Sequence, residues 1–319
     1  MISRSVRLMA LLSIAVLLLA SVVSASIKKE INKEFEVGSG GELTLETEIG
    51  SVEILTTDEN KVYVDVVLDS RTSKESRAED MFEDFEIDFE IDGDNVNITA
   101  EYYGNRNNIF NLFGSRKSLR VKYEIRVPAK YDIFIETSGG SIGVGDVEGK
   151  VRVKTSGGSL HFEDIKGPVK GRTSGGSIVL ESCKGYADIK TSGGSIDIGH
   201  VEGEVEAHTS GGSISVDEVM GAIDASTSGG SIVARITKQP QNDCRLTTSG
   251  GSVNVYLTPD INVEIDARTS AGRVRSDFEE TSSKKRSSKR KSRLVTTIGN
   301  GGPEIYLRTS GGDIRIHER

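Results

Sequence analysis

The sequence predicts an all-β protein: a parallel β-solenoid of 18–21-residue, two-strand coils behind a less regular β region with one short helix. Three observations lead there. The string Thr-Ser-Gly-Gly-Ser begins at Thr137, Thr155, Thr173, Thr191, Thr209, Thr227 and Thr248, spaced by 18 residues until a last interval of 21. Between these strings apolar residues recur with period two, a strand signal and not a helical one. The composition also argues against a thick globular core. Of 319 residues, 36 are Gly, 5 are Pro and none is Trp, and only 35% are hydrophobic, well under the usual apolar share.

Residues 1–25 stand apart from the fold. Arg4 and Arg7 precede an apolar run from Leu8 to Val23, which ends at Val23-Ser24-Ala25. A basic head, an apolar middle and a small-residue exit are the form of a secretory signal peptide. The run is shorter than the ~20 residues that span a bilayer comfortably, although an uncleaved anchor remains the alternative. No Cys follows the site, so a lipid anchor on a new N-terminal Cys is excluded. Cleavage near Ala25 implies an extracytoplasmic protein: periplasmic, secreted or at the cell surface.

The second part, 26–130, is an N-terminal β region and cap. Glu42–Thr47 and Ser51–Thr56 read as strands around the corner Ile49-Gly50-Ser51, and Lys61–Leu68 as another. Thr72 with Glu75 resembles a capping box opening a helix to about Phe82. Phe85, Ile87, Phe89 and Ile91 alternate with acidic residues, the pattern of a half-buried strand, and Asp92-Gly93 turns the chain into Asn95–Tyr103. The loop from Gly104 to Ser118 carries Ile109, Phe110, Leu112 and Phe113, which suit a cap over the open end of the core better than a partner contact. Leu119–Val127 is a strand that Pro128 ends.

The third part, 131–319, holds the repeats. In the unit from Thr137 to Lys154 the inward residues are Ile142, Val144, Val147, Val151 and Val153; later units place Leu160, Phe162, Ile165 and Val169, then Ile178, Leu180, Cys183, Ala187 and Ile189, at the same offsets. Each unit therefore holds two short strands between two glycine corners. One corner is the pair Gly139 and Gly140, repeated as Gly157 and Gly158, Gly175 and Gly176, and Gly193 and Gly194. It continues as Gly211 and Gly212, Gly229 and Gly230, and Gly250 and Gly251. The other is Gly149, Gly167, Gly185, Gly203 and Gly221. Such corners suit bends needing φ > 0. An antiparallel meander would not require one residue type to stack on itself, whereas in a solenoid every offset becomes a column ~4.8 Å per step. Unbroken Thr, Ser and Gly columns favour the solenoid, whose coils contact only their neighbours. In that alignment Cys183 and Cys244 are inward-facing and three coils apart, roughly 14 Å, beyond the ~7 Å Cα limit of a disulfide. Two buried free thiols are expected.

An early Gly-Ser-Val-Glu-Ile strand, a charged helix and hairpin, a strand ending in Val127-Pro128, and then Ser-Gly-Gly-Ser repeats form a recognisable order over roughly residues 35–316. The chain resembles the bacterial putative-adhesin β-strand-repeat family, a domain of unknown function. That resemblance implies a β-solenoid, an extracytoplasmic place, and adhesion or envelope roles. It carries no catalytic residues.

The residues themselves offer little chemistry. The glycine-rich corners lack the helix N-terminus and lysine of a phosphate loop. A calcium β-roll needs Asp after its third Gly; here that place is Gly143, His161, Val179, Asp197, Ser215 and Val233. A weaker acidic column runs through Asp146, Glu163, Asp164, Glu181, Asp217 and Glu218, and reads first as a solvated corner. His161, His200, His208 and His317 do not converge, and no nucleophile, base and orienter share a spacing. No catalytic residue, metal or cofactor is expected. Just before Thr-Ser, Lys154, Arg172, Lys190 and His208 share one offset that suits an acidic polymer such as a glycan.

The largest departure from the repeat is an insertion at about 279–293, expected to be disordered. Lys284, Lys285, Arg286, Lys289, Arg290, Lys291 and Arg293 put seven positive charges within ten residues. Without those seven and the two leader arginines, 31 basic residues face 48 acidic ones, a balance of −17. A basic tuft on an acidic body suits an anionic surface; export makes nucleic acid an unexpected partner. The expected function is an exported, non-enzymatic, adhesin-like scaffold for cell-surface or envelope interaction, its partner a surface glycan, envelope component or protein. An envelope-stress sensor is the alternative, and a polysaccharide-active β-helix enzyme a more distant one.

Overall fold

The computed structural model describes residues 26–72, 74–104, 119–278 and 292–319. The leader, the apolar cluster Ile109–Phe113 and every residue of the basic run except Arg293 lie outside the described residues. The chain opens with β1 (Ile27–Glu36), β2 (Glu42–Thr47), β3 (Ser51–Thr57) and β4 (Lys61–Ser70). Helix α1 (Glu75–Glu83), the hairpin β5 (Phe85–Asp92) and β6 (Asn95–Tyr102), and β7 (Leu119–Pro128) follow. The repeats then yield β8 (Asp132–Thr137), β9 (Ile142–Val144), β10 (Val151–Thr155), β11 (Leu160–Ile165), β12 (Val169–Arg172), β13 (Ile178–Cys183) and β14 (Ala187–Lys190). They continue as β15 (Ile196–Val201), β16 (Val205–His208), β17 (Ile214–Val219), β18 (Ile223–Thr227), β19 (Ile232–Ile236), β20 (Cys244–Thr248) and β21 (Val253–Leu257). The last elements are β22 (Val263–Thr269), β23 (Val274–Ser276), β24 (Arg293–Ile298), β25 (Glu304–Thr309) and β26 (Ile314–Glu318).

The strands form two 13-stranded sheets. Sheet 1 holds the strands that follow the Gly-Gly-Ser corners, β9 to β21 by odd numbers; sheet 2 holds those that precede them, β8 to β20 by even numbers. Pairing between repeats is parallel and in register every 18 residues: Val151 with Val169, Ala187 and Val205, and Leu160 with Ile178, Ile196 and Ile214. This is the expected solenoid. The inward columns are sealed, with Ile142, Val144, Val147, Val151 and Val153 each at most 2% exposed. Both cysteines are buried and free. One apolar cluster runs from Val37 to Ile316, so the change of regularity near residue 130 is not a break in the core.

The corners are tied coil to coil. Thr155 Oγ1 donates to the Gly140 carbonyl at 3.0 Å, Thr173 to Gly158 at 2.7 Å, and Thr191 to Gly176, Thr209 to Gly194 and Thr227 to Gly212 at 2.8 Å. Burying a hydroxyl without a partner would be costly; here each threonine satisfies the preceding coil, which explains why this polar column is interior. The reason for the glycines differs from the left-handed bend expected from sequence. Of the pentapeptide glycines only Gly140 has positive φ, at 124°. The second glycine is needed because the coils touch: a Cβ on Gly158 would lie 1.9 Å from the Gly140 carbonyl oxygen, and on Gly212 2.2 Å from that of Gly194. The other corner is crowded in the same way, with 2.0 Å between a Cβ on Gly167 and the Gly149 oxygen.

The coils do not stack in chain order at either end. The coil β2/β3 lies between β8/β9 and an outer coil made of β6 and β7, with β2 parallel to both β6 and β8 and β3 parallel to both β7 and β9. At the other end β25/β26 is wedged between β20/β21 and the outer coil β22/β23. Antiparallel strands finish the sheets: β4 and β1 beyond β7, β5 beyond β6, and β24 beyond β22.

Helix α1 contributes buried Ala78, Met81 and Phe82 beside β1, β4 and β5. Its N-cap is Lys74 without a side-chain cap bond, and Thr72 Oγ1 instead accepts from the Lys74 amide at 3.3 Å. The expected capping box is therefore absent. The strand β5 is less buried than its alternation implies: Phe85 is buried, Ile87 and Phe89 are half-buried, and Ile91 is exposed.

Candidate interaction surface

In each strand alternate side chains face outward, so parallel in-register stacking turns one repeat offset into a straight outward column. On sheet 2 the residue before each buried threonine forms such a column. It starts with Glu46 and Glu136 and continues as Lys154, Arg172 and Lys190. His208, Ser226 and Thr247 come next. The swapped end coils then add Arg308, Arg268 and Arg293 on neighbouring strands β25, β22 and β24. The basic offset read from sequence is thus a real stack and is longer than it looked. Arg268 and Arg308 precede Thr269-Ser270 and Thr309-Ser310 just as Lys154 precedes Thr155-Ser156, so the signal was present in the repeat phase. Arg293 belongs to a paired strand and not to the insertion, because its side chain shares the Arg268 partner.

The adjacent outward column supplies two largely buried carboxylates. Asp188, whose side chain is 9% exposed, takes Lys170, Arg172 and Lys190, each at 3.2 Å. Burial alone would raise its pKa; hydrogen bonds from Lys190 and Lys170 and the charges of Lys190 and Arg172 outweigh that and hold it below the usual range. Asp266, 12% exposed, accepts Arg268 Nε at 2.8 Å and lies 3.6 Å from Arg293 Nη2. The Arg268 hydrogen bond is the main cause of its lowered pKa. Lys190 also reaches Glu206 at 2.6 Å, raising the lysine and lowering the glutamate. Lys154 pairs with exposed Glu136. A shallow depression of about 480 Å³ opens here, bordered by Phe134, Arg152, Lys154, Lys170 and Arg172.

Sheet 1 presents the opposite sign through its central coils. Asp164, Ser182, His200 and Glu218 stand in one register. His161 pairs with Glu181 at 3.4 Å, His200 with Glu218 at 2.9 Å, and Asp217 with Arg235. Spread along the stack, these acids do not converge, and among the described residues no group of His, Cys, Asp and Glu is arranged to hold a metal ion. The other histidines are also taken: His208 lies 2.6 Å from Ser226 Oγ and 3.0 Å from Glu206, and His317 lies 3.0 Å from Asp277. Amides of the glycine corners bond within the stack. Gly193 N donates to Ser174 O and Ser195 N to Ser177 Oγ, both in the preceding coil. No described helix is long and apolar enough to cross a membrane.

Fold and surface together define a class: a two-sheet parallel β-solenoid whose outward residues stack into columns. The chain belongs to the Toastrack DUF4097 family, whose model matches residues 41–317; the order of strands and repeats resembles that same family. No curated protein matches the sequence. Three solved structures are among those to which the chain is similar. A "putative adhesin" from Bacteroides fragilis NCTC 9343 is 12% identical, covering 90% of this chain and 97% of its own, with a TM-score of 0.43. A "putative lipid binding protein" from Parabacteroides distasonis ATCC 8503 is 14% identical, covering 91% and 96%, with a TM-score of 0.39. A "putative cell adhesion protein" from Clostridium sporogenes ATCC 15579 is 12% identical, covering 92% and 100%, with a TM-score of 0.27.

Proposed function

We propose that the protein is an exported, non-enzymatic scaffold that holds a cell-surface or envelope partner, with the basic insertion as an electrostatic hook. The observation that supports this most is the outward display: the repeats bury one column set and present the other as long in-register columns on both faces. In sequence the insertion lies between β23 and β24, and β24 opens at Arg293, the register partner of Arg268 on β22. Its charges are Lys284, Lys285, Arg286, Lys289, Arg290 and Lys291. Attraction of this kind weakens as the Debye length falls from about 10 Å at 0.1 M salt to about 3 Å at 1 M.

The test is a crosslinking pull-down from the surface of the producing cells, comparing the intact chain with one whose six insertion cations are changed to Gln. Loss of salt-sensitive capture with an unchanged melting curve is expected. Equal capture by both proteins rejects the hook. Turnover of a glycan panel rejects the non-enzymatic reading, and a stress-gene response without any loss of attachment on deletion favours a sensor.

A further inference from the structure

On the outer face of sheet 2, six of the nine positions from Lys154 to Arg293 in one column are Lys or Arg, with Arg152, Lys170 and Arg245 in the column beside it, and this narrows the partner. We propose that this column is a rail for a linear acidic polysaccharide carrying about one carboxylate or sulfate per sugar, lying along the solenoid axis. The proposal rests on the reading of the protein as an interaction scaffold, and it identifies where on the scaffold the partner sits.

Like charges directly opposite on neighbouring strands are destabilising. Yet Lys154, Arg172 and Lys190 are consecutive in one column, and Arg308, Arg268 and Arg293 are consecutive again further along it. Asp188 holds Arg172 and Lys190 from the next column, and Asp266 holds Arg268 and Arg293; Lys154 pairs along its own column with exposed Glu136, and Lys190 also reaches Glu206. The arrangement is pre-organised for anions arriving from outside. Successive cations repeat at strand spacing, ~4.8 Å, close to the axial length of one sugar unit in an extended polysaccharide. From Lys154 on β10 to Arg293 on β24 there are eight strand steps, roughly 38 Å. Ser226 and Thr247 interrupt the charge with small neutral side chains that leave the track flat.

Two other anionic partners fit less well. A membrane plane would meet the neighbouring column as well, where Asp188, Glu206 and Asp224 follow one another between Lys170 and Arg245, and those central carboxylates would oppose it. Single-stranded nucleic acid needs open aromatic platforms for its bases. Phe134 and Tyr306, the aromatic residues of that column, already have the guanidinium groups of Arg152 and Arg245 over their rings at 5.6 and 5.4 Å.

The experiment measures binding of the full exported chain to polygalacturonate and to oligogalacturonates of increasing length. Fully methyl-esterified pectin, phosphatidylglycerol vesicles and single-stranded DNA are the comparisons. Affinity should rise with oligomer length and level off at about eight or nine sugars, the span of the column. The triple variant Lys154→Gln, Arg172→Gln, Arg308→Gln should bind polygalacturonate about tenfold more weakly or worse, from three exposed charge pairs. Arg172 touches Asp188, so the double variant Lys154→Gln, Arg308→Gln, which leaves both buried carboxylates with partners, is measured beside it with melting curves. Loss of binding on neutralising the insertion, with both face variants unaffected, overturns the rail and leaves the hook standing. Tighter binding to vesicles or DNA than to polygalacturonate, equal binding to the esterified polymer, or no dependence on length also overturns it.

Discussion

Substituting Gly194 with alanine isolates the reason for the glycine columns. The added Cβ would lie 2.1 Å from the Gly176 carbonyl oxygen and 2.4 Å from its carbon, whereas ordinary contact begins near 3.4 Å. That oxygen also accepts the Thr191 hydroxyl at 2.8 Å, so the coils cannot part there without breaking the bond. Overpacking of this kind costs about 1–3 kcal/mol. The lost hydrogen bond adds about 0.5–1.5 kcal/mol, and a buried group left unpaired about 1–3 kcal/mol. Reduced freedom of the unfolded chain returns about 0.4–1 kcal/mol. With the broken bond counted once, as the group left unpaired, a net loss of roughly 1–5 kcal/mol is expected, its upper end in the range that marks a specific structural cause. Gly139→Ala is the matched control, because a Cβ there meets nothing within 4 Å and φ is not left-handed. It should change stability by no more than about 1 kcal/mol. Urea unfolding followed by circular dichroism decides between them. Equal losses for the two variants, or a Gly194→Ala protein within about 0.5 kcal/mol of the parent, would refute crowding as the cause.

Other consequences can be checked more briefly. Burial pushes the Cys244 thiol up to about 11 and also raises that of Cys183, so neither should react with a thiol reagent at pH 8 until the protein unfolds; rapid labelling in native buffer, or a disulfide found by mass spectrometry, contradicts the coil alignment. Thr191→Val should cost about 1–3 kcal/mol in a urea titration, because the Gly176 carbonyl loses its donor, while exposed Ser192→Ala should stay within about 0.5 kcal/mol. The lowered carboxylates Asp188, Asp266, Glu206 and Glu218 contribute stability that is fully present above the ordinary carboxylate range, near pH 4. That contribution is lost as pH falls through their lowered folded values. Melting temperatures should therefore drop below about pH 4, and Asp188→Asn should flatten that limb.

The repeat made the two sheets, their parallel register and the inward columns legible, because an 18-residue phase assigns every offset at once. What it could not convey is the order of coils at the ends. Identical Thr, Ser and Gly columns fit any neighbour equally well, and sequential coils are normally adjacent. That is why the Arg308, Arg268 and Arg293 stack stayed out of sight although two of the three residues carry the right offset. Strand β1 was missed for a different reason. Ile27, Ile31 and Phe35 recur every four residues, and the intervening same-side positions are Lys29 and Lys33, which erases the alternation of a half-buried strand. In the structure Lys33 lies 6.0 Å from the centre of the Phe89 ring. A long lysine covers apolar surface while its charge stays in water, so the position is partly apolar in effect and polar by name. The glycine corners were placed correctly and explained wrongly, since crowding between coils leaves no trace that distinguishes it from a left-handed bend.

The exchanged end coils bear on how the protein would carry a tensile load. A simple stack of coils under tension at its last strand unzips one ladder at a time, each rupture exposing the next. Here β26 is flanked by β21 and β23, and β25 by β20 and β22. Pulling on Arg319 therefore has to drag a strand out from between two partners, shearing two ladders together before any coil is released. At the opposite end β1 holds a single antiparallel neighbour, β4, and can peel. Single-molecule pulling should show a low first rupture from the β1 side and a high one from the β26 side.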